Sequence, residues 1–90
     1  MGEKGRLSQL RPGQQARIRT LDMSGPMRRR LRDLGLIEGT ELVCLGVSPL
    51  GDPAAYRVRG AVLALRREDS STITIERSGK EETGRERRWD

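Results

Sequence analysis

The sequence predicts a mainly β fold, a small barrel of about five strands with one helix inserted after the first strand. Three observations predict it. Residues 15–21, 54–59 and 72–76 alternate apolar and polar side chains with the period of half-buried strands. Glycine and proline punctuate the intervals between such stretches. Residues 26–34 break the pattern, because at about 100° per residue Met27, Leu31 and Leu34 share one narrow apolar face. A sheet of this size with no second layer can cover its apolar side by closing on itself, the helix plugging one end.

In chain order, residues 1–6 are polar and read as a flexible N-terminus, with Leu7 and Leu10 the first groups fit for a core. Leu10-Arg11-Pro12-Gly13 reads as a turn. The strand at 15–21 puts Ala16, Ile18 and Thr20 on one face and arginines on the other. After a loop at 22–25, Ser24 or Gly25 caps the helix. Pro26 suits the first helical position, where its missing N–H costs nothing. Gly35 ends the helix, since a left-handed residue there is cheap for glycine, and Leu36 folds back onto the last turn. Gly39 suits a tight turn, and residues 40–45 form a more continuously apolar strand. The loop at 46–53 is crowded with breakers, and Leu50 is its lone large apolar group.

Residues 54–59 alternate again, with Tyr56 and Val58 facing the core. Gly60-Ala61 can form a type II′ hairpin returning into residues 62–67. A polar connection at 68–71 has room for one helical turn, and β-branched residues 72–76 make the last strand. From Arg77 no apolar residue follows until Trp89, so 77–90 read as a disordered charged tail. The expected folded unit is therefore 7–76.

Composition bounds the chemistry. Of 90 residues, 33% are hydrophobic and 34% charged, and the net charge is +5. Lys4 and Lys80 are the only lysines, so arginine supplies nearly all the positive charge. That suits acidic proteins, phosphates or nucleic acid as partners, although arginine enrichment can also reflect genome composition. No apolar run reaches the ~20 residues of a membrane span, and no signal-peptide core follows the N-terminus. With Cys44 alone there is no disulfide framework, which fits a reducing cytosol.

The chain has no histidine. Histidine-based acid–base catalysis and hydrolytic triads are thereby excluded. Cys44, between Val43 and Leu45, reads as a buried hydrophobe. No glycine-rich loop has phosphate-binding spacing. One cysteine and no histidine leave zinc and ferrous iron without their preferred ligands, and Asp52, Glu68 and Asp69 read as solvated loop charges. The chain is expected not to be an enzyme, and no catalytic residue, metal ligand or cofactor is assigned. A basic barrel binding nucleic acid through phosphates is the alternative. Single-strand binders use aromatic platforms, and only Tyr56 and Trp89 are present.

The helix carries a conflict. Arg28, Arg29 and Arg30 occupy its first turn, where the macrodipole favours acidic groups. Arg28 and Arg32 are a like-charge i, i+4 pair, partly offset by Asp33 through Arg29 and Arg30. Such conflict can mark a docking surface. Alternatively, the arginine stems cover barrel edges while their heads stay wet.

Two stretches together resemble a known family. Residues 29–42, RRLRDLGLIEGTEL, resemble the RRLxxMGLxPGxxV segment of the ferrous iron transport protein A (FeoA) family. Pro49-Leu50-Gly51-Asp52-Pro53 and Val58-Arg59-Gly60 resemble its second signature, which residues 63–69 and 73–75 continue. Departures are Leu34 for the usual Met, Ile37-Glu38 where Pro precedes the turn glycine, and Ser70 and Ser71 for Ala. The resemblance implies an SH3-like barrel and a cytoplasmic accessory of bacterial ferrous iron uptake. Its implied partner is the GTPase region of a FeoB-type transporter, and metal-ion binding is implied by kinship alone. On that basis Arg28, Arg29 and Arg32, with Leu50, Asp52 and Pro53, are the candidate partner-binding residues. Barrel edges could also pair between chains.

Overall fold

The structure, a computed structural model, describes residues 3–81, with side chains described through Arg77. Six antiparallel strands form one sheet: β1 (Glu3–Arg6), β2 (Gln14–Leu21), β3 (Glu41–Val47), β4 (Ala54–Val58), β5 (Ala61–Leu65) and β6 (Ile73–Glu81). Helix α1 (Pro26–Asp33) connects β2 to β3, and the single turn α2 (Arg67–Ser70) connects β5 to β6. The hydrogen-bonded order is β1-β6-β2-β3-β4-β5, so the sheet is mainly β as expected but not a closed barrel. The gap is covered by a 3-10 turn at Leu7–Gln9, whose Leu7 is fully buried and whose carbonyl accepts from the Tyr56 hydroxyl at 3.5 Å.

Both expected boundaries shift. Glu3–Arg6 is not a loose N-terminus but an edge strand on β6, in register Glu3↔Arg77 to Arg6↔Thr74. An Arg77–Glu3 pair at 3.5 Å and an Arg6–Asp22 pair at 2.8 Å hold it. Because it buries almost nothing, it carries no alternation for a sequence reading to detect. At the other end β6 runs on to Glu81, past the boundary expected at Arg77. Residues 82–90, including Trp89, lie outside the described residues.

Apolar burial follows the alternation. Ala16 and Ile18 of β2, Tyr56 and Val58 of β4, and Ile73 and Ile75 of β6 all point into the core. The hairpin differs from expectation by one residue. Val58 pairs with Ala61, so the turn residues are Arg59 and Gly60, with φ of 52° and 84°. Two positive φ angles make a type I′ turn, which matches strand twist better than the type II′ turn expected at Gly60-Ala61.

The helix also corrects one expectation. Leu31 is buried and Met27 packs against the core, but Leu34 is 47% exposed. Leu36 fills the place intended for it. The N–H of Leu36 donates to the Leu31 carbonyl (2.9 Å) and that of Gly35 to the Arg32 carbonyl (3.0 Å), a Schellman closure around Gly35 at φ 102°. Reversal at Gly35 swings Leu36 beneath the helix and leaves Leu34 on the rim. The hydroxyl of buried Thr40 then donates to the Gly35 carbonyl at 2.9 Å, tying the helix end to the start of β3.

Tyr56 is the sole tyrosine and only 2% exposed. Burial, above all, pushes its pKa up to about 12. The unfolded chain would release this proton near pH ~10. The native state therefore binds more protons between those values, and stability falls as pH rises through them. Two units correspond to about 2–3 kcal/mol, and the Cys44 thiol, also raised by burial, adds in the same direction. Denaturant unfolding against pH should show the decline together with late ionisation of the tyrosine's ultraviolet band. A level profile to about pH 12 would mean that Tyr56 reaches water.

Candidate functional site

Helix α1 presents two unlike faces because its sequence does. Met27 and Leu31 turn inward, and Arg28, Arg29 and Arg32 fall together on the outer side. Gly25, at φ 79°, is the residue before the helix, and its carbonyl accepts the Arg29 N–H at 3.2 Å. No side chain caps the first turn. Ser24, Gly25, Arg28, Arg29, Arg32, Asp33 and Ile37 line an open cleft of about 530 Å³.

Pairing separates these arginines from those of β1, β2 and β6. On the sheet, Arg6 meets Asp22 at 2.8 Å, Arg17 meets Glu41 at 2.7 Å, Arg19 meets Glu76 at 3.1 Å and Arg77 meets Glu3 at 3.5 Å. Most join neighbouring strands, where opposite charges across a ladder are favourable. Among the described residues, Arg28, Arg29, Arg30 and Arg32 make no ion pair. Asp33 was expected to offset them through Arg29 and Arg30, but it forms no direct pair with either. The like-charge cost within the helix is thus left standing in the free protein.

Two apolar side chains adjoin the cations. Leu34 and Ile37 are 47% and 42% exposed at the C-terminal end of the helix. The Arg59 side chain reaches the same end, its Cδ lying 3.0 Å from where a Cβ on Gly35 would sit. A surface mixing arginine heads with exposed aliphatic groups has the composition of a protein-binding patch. Sequence reasoning placed Leu34 inside, but it caps the last turn at the rim of the domain, and it passed over Ile37, which lies past the helix end where the 100° rule no longer applies.

The loop candidates are not part of this cleft. Leu50 is 94% exposed at the loop's tip. Asp52 and Pro53 are half-buried. The Asp52 carboxylate accepts the backbone N–H of Arg67 at 2.9 Å, fixing the entry to α2. Asp52 lines a second, much smaller cavity with Leu10, Tyr56 and Ser70, and no residue lines both.

Cys44 is buried and its thiol pKa is raised, which disfavours the reactive thiolate. Among the described residues no three His, Cys, Asp or Glu side chains converge as a metal site. With histidine absent and the one thiol buried, the donors present do not fit a zinc or ferrous iron centre. Tyr56, inside the core, offers no platform for a stacked base.

Solved structures share this architecture. Iron(II) transport protein A of Clostridium thermocellum superimposes with a TM-score of 0.79 at 35% identity, over 82% of this chain and 46% of that one. FeoA of Stenotrophomonas maltophilia, described as a prokaryotic SH3 domain protein in complex with zinc, gives 0.69 at 27% identity, over 78% and 87%. The fold is thus that of a small SH3-like β domain. The chain belongs to the FeoA domain family, which matches residues 5–77. A relative from Porphyromonas gingivalis, a Fe(2+) transport protein A/Fe(2+) transporter FeoB fusion protein, is 37% identical over 71 residues. That match takes in 79% of this chain and 8% of the relative, so the chain spans a small part of the fusion's length.

Proposed function

We propose that this chain is a non-enzymatic cytoplasmic accessory of bacterial ferrous iron uptake that binds the GTPase region of a FeoB-type transporter. The observation that carries the reading is the Porphyromonas gingivalis relative, in which a domain 37% identical to this chain is covalently joined to the transporter. Joining two parts in one polypeptide holds them at high effective concentration, an arrangement suited to parts that act in contact. A cytoplasmic location follows from that partner, and no helix among the described residues is long and apolar enough to cross a membrane.

The proposed contact surface is the outer face of α1. Arg28, Arg29 and Arg32 supply unpaired guanidinium groups suited to carboxylates on the partner. Leu34 and Ile37 supply apolar area beside them. Leu50 is a second, separate contact, with Asp52 and Pro53 shaping the loop that carries it. In this role iron is the cargo of the transporter, and the chain itself need not ligate it.

The test is a calorimetric titration of the full chain into the transporter's isolated cytoplasmic GTPase region, paired with iron uptake in cells lacking the chain. Saturable binding and a fall in ferrous iron uptake are expected. Normal uptake without the chain would remove the role, and absence of binding at high protein concentration would remove the partner.

A further inference from the structure

The two edges of the sheet are built differently. β1 carries Glu3, Lys4 and Arg6, with ion pairs to Arg77 and Asp22, and such charge is a usual guard against strand pairing. β5 has the sequence AVLAL, with neither charge nor proline. β4 pairs with it on one side, and no strand among the described residues lies on the other. Ala61, Val62 and Ala64 are exposed, Val62 to 62%.

The register shows which backbone groups are open. Val58 and Ala61 close the two-residue hairpin as a hydrogen-bonded pair, so bonding alternates from there. Ala61, Leu63 and Leu65 spend their N–H and C=O groups on β4. Val62 and Ala64 turn theirs outward, and no backbone bond outside the sheet engages them among the described residues. Leu63 and Leu65 meanwhile anchor the strand in the core.

Charge at the ends of β5 selects the occupant. Arg59 lies in the turn before it, its side chain leaning toward Gly35. Arg66 and Arg67 follow it, Arg67 donating to the Gly51 carbonyl at 3.5 Å while Arg66 is exposed. Antiparallel pairing of two copies along β5 would bring the Arg66 end of each copy to the Arg59 turn of the other, cation beside cation. Like charges gathered in this way are unfavourable. An extended segment with acidic residues at its ends meets the same arginines as counter-charges. We infer that β5 is a strand-addition site for an extended acidic segment of another polypeptide, gripped through the backbone of Val62 and Ala64 and held in register by Arg66, with Arg59 and Arg67 adding positive charge near its two ends. The inference stands whether or not α1 docks a transporter.

The experiment follows amide hydrogen exchange by NMR in the full chain. The probe is a synthetic peptide alternating valine or threonine with neutral polar residues and carrying glutamates at both ends; a control carries lysines there. The acidic peptide should slow exchange at Val62 and Ala64 and shift Arg66 and Arg67, and the lysine peptide should not. Val62→Pro removes one outward N–H without touching the bonds to β4, and an edge strand tolerates proline. It should weaken peptide binding about tenfold or more while leaving the amide spectrum of β2 and β3 in place. If Val62→Pro disturbs that spectrum, Arg66→Glu, which keeps every backbone N–H of β5 and reverses an exposed charge at its end, takes over the comparison with the same expected weakening of the acidic peptide.

Equal protection by both peptides, or by neither, would overturn the inference. So would protection already present in the free chain. Growth of that protection with concentration would identify a second copy as the occupant, and constancy would identify a segment of the same chain.

Discussion

Leu36→Ala should lower the stability of the domain by about 2–5 kcal/mol, whereas Leu34→Ala should change it by less than about 0.5 kcal/mol. Leu36 is completely buried and held by the Schellman closure onto Leu31, so removing its branched end leaves a cavity that the backbone at Gly35 cannot collapse into. A domain of this length has little stability in reserve, and a loss of that size populates the unfolded state. Leu34 already has about half of its surface in water and gives up much less. Urea unfolding of the two variants checks the contrast. Equal losses would mean that Leu34, as the helical period alone suggests, belongs to the core.

Replacing Arg28, Arg29 and Arg32 together by glutamate should weaken binding to the transporter's GTPase region by about a hundredfold or more, since three attractive contacts become repulsive ones. The same substitutions should leave the fold intact. All three side chains are exposed and make no ion pair among the described residues, so nothing in the domain depends on them. Acidic groups at positions 28 and 29 suit the dipole of the first turn, but one at 32 opposes it in the last turn, and positions 28/32 and 29/33 remain or become like-charge i, i+4 pairs. These small terms oppose one another, so stability should stay within about 1 kcal/mol of the parent chain. Arg17→Glu supplies the control for non-specific charge effects. Its arginine is paired with Glu41 across β2 and β3, so it should cost some stability and little binding.

Much of this was legible in the sequence, and the misses have physical causes. Alternation located β2, β4 and β6 because each buries one face. The glycine at the helix end, followed by leucine, specified both the stop at Gly35 and the burial of Leu36. What escaped was whatever folds without burying side chains. β1 is polar throughout and held by backbone pairing and ion pairs, so its existence depends on β6 offering an edge. The hairpin slipped by one residue because a type I′ turn needs positive φ at Arg59, which residue preference alone does not suggest. Closure failed as an expectation because the 3-10 turn carrying Leu7 covers the gap that a barrel would have sealed with a strand pair.

The candidate site divides the same way. That Arg28, Arg29 and Arg32 share a face follows from helical geometry. That they remain unpaired among the described residues while arginines of β1, β2 and β6 find carboxylates does not, since pairing across strands depends on register. Leu34 and Ile37 joined the surface only because the chain reverses at Gly35. Asp52 looked like an exposed loop charge until its carboxylate was found on the Arg67 N–H.

The most direct test of docking through α1 is a map of the contact itself. Isotope-labelled full chain is titrated with the transporter's cytoplasmic GTPase region, and backbone and arginine side-chain resonances are followed. Shifts and line broadening are expected at Arg28, Arg29, Arg32, Leu34 and Ile37, with a weaker response at Leu50 and none across β1, β2 and β6. Broadening confined to the sheet, with the α1 resonances unmoved at saturation, would contradict docking through this helix.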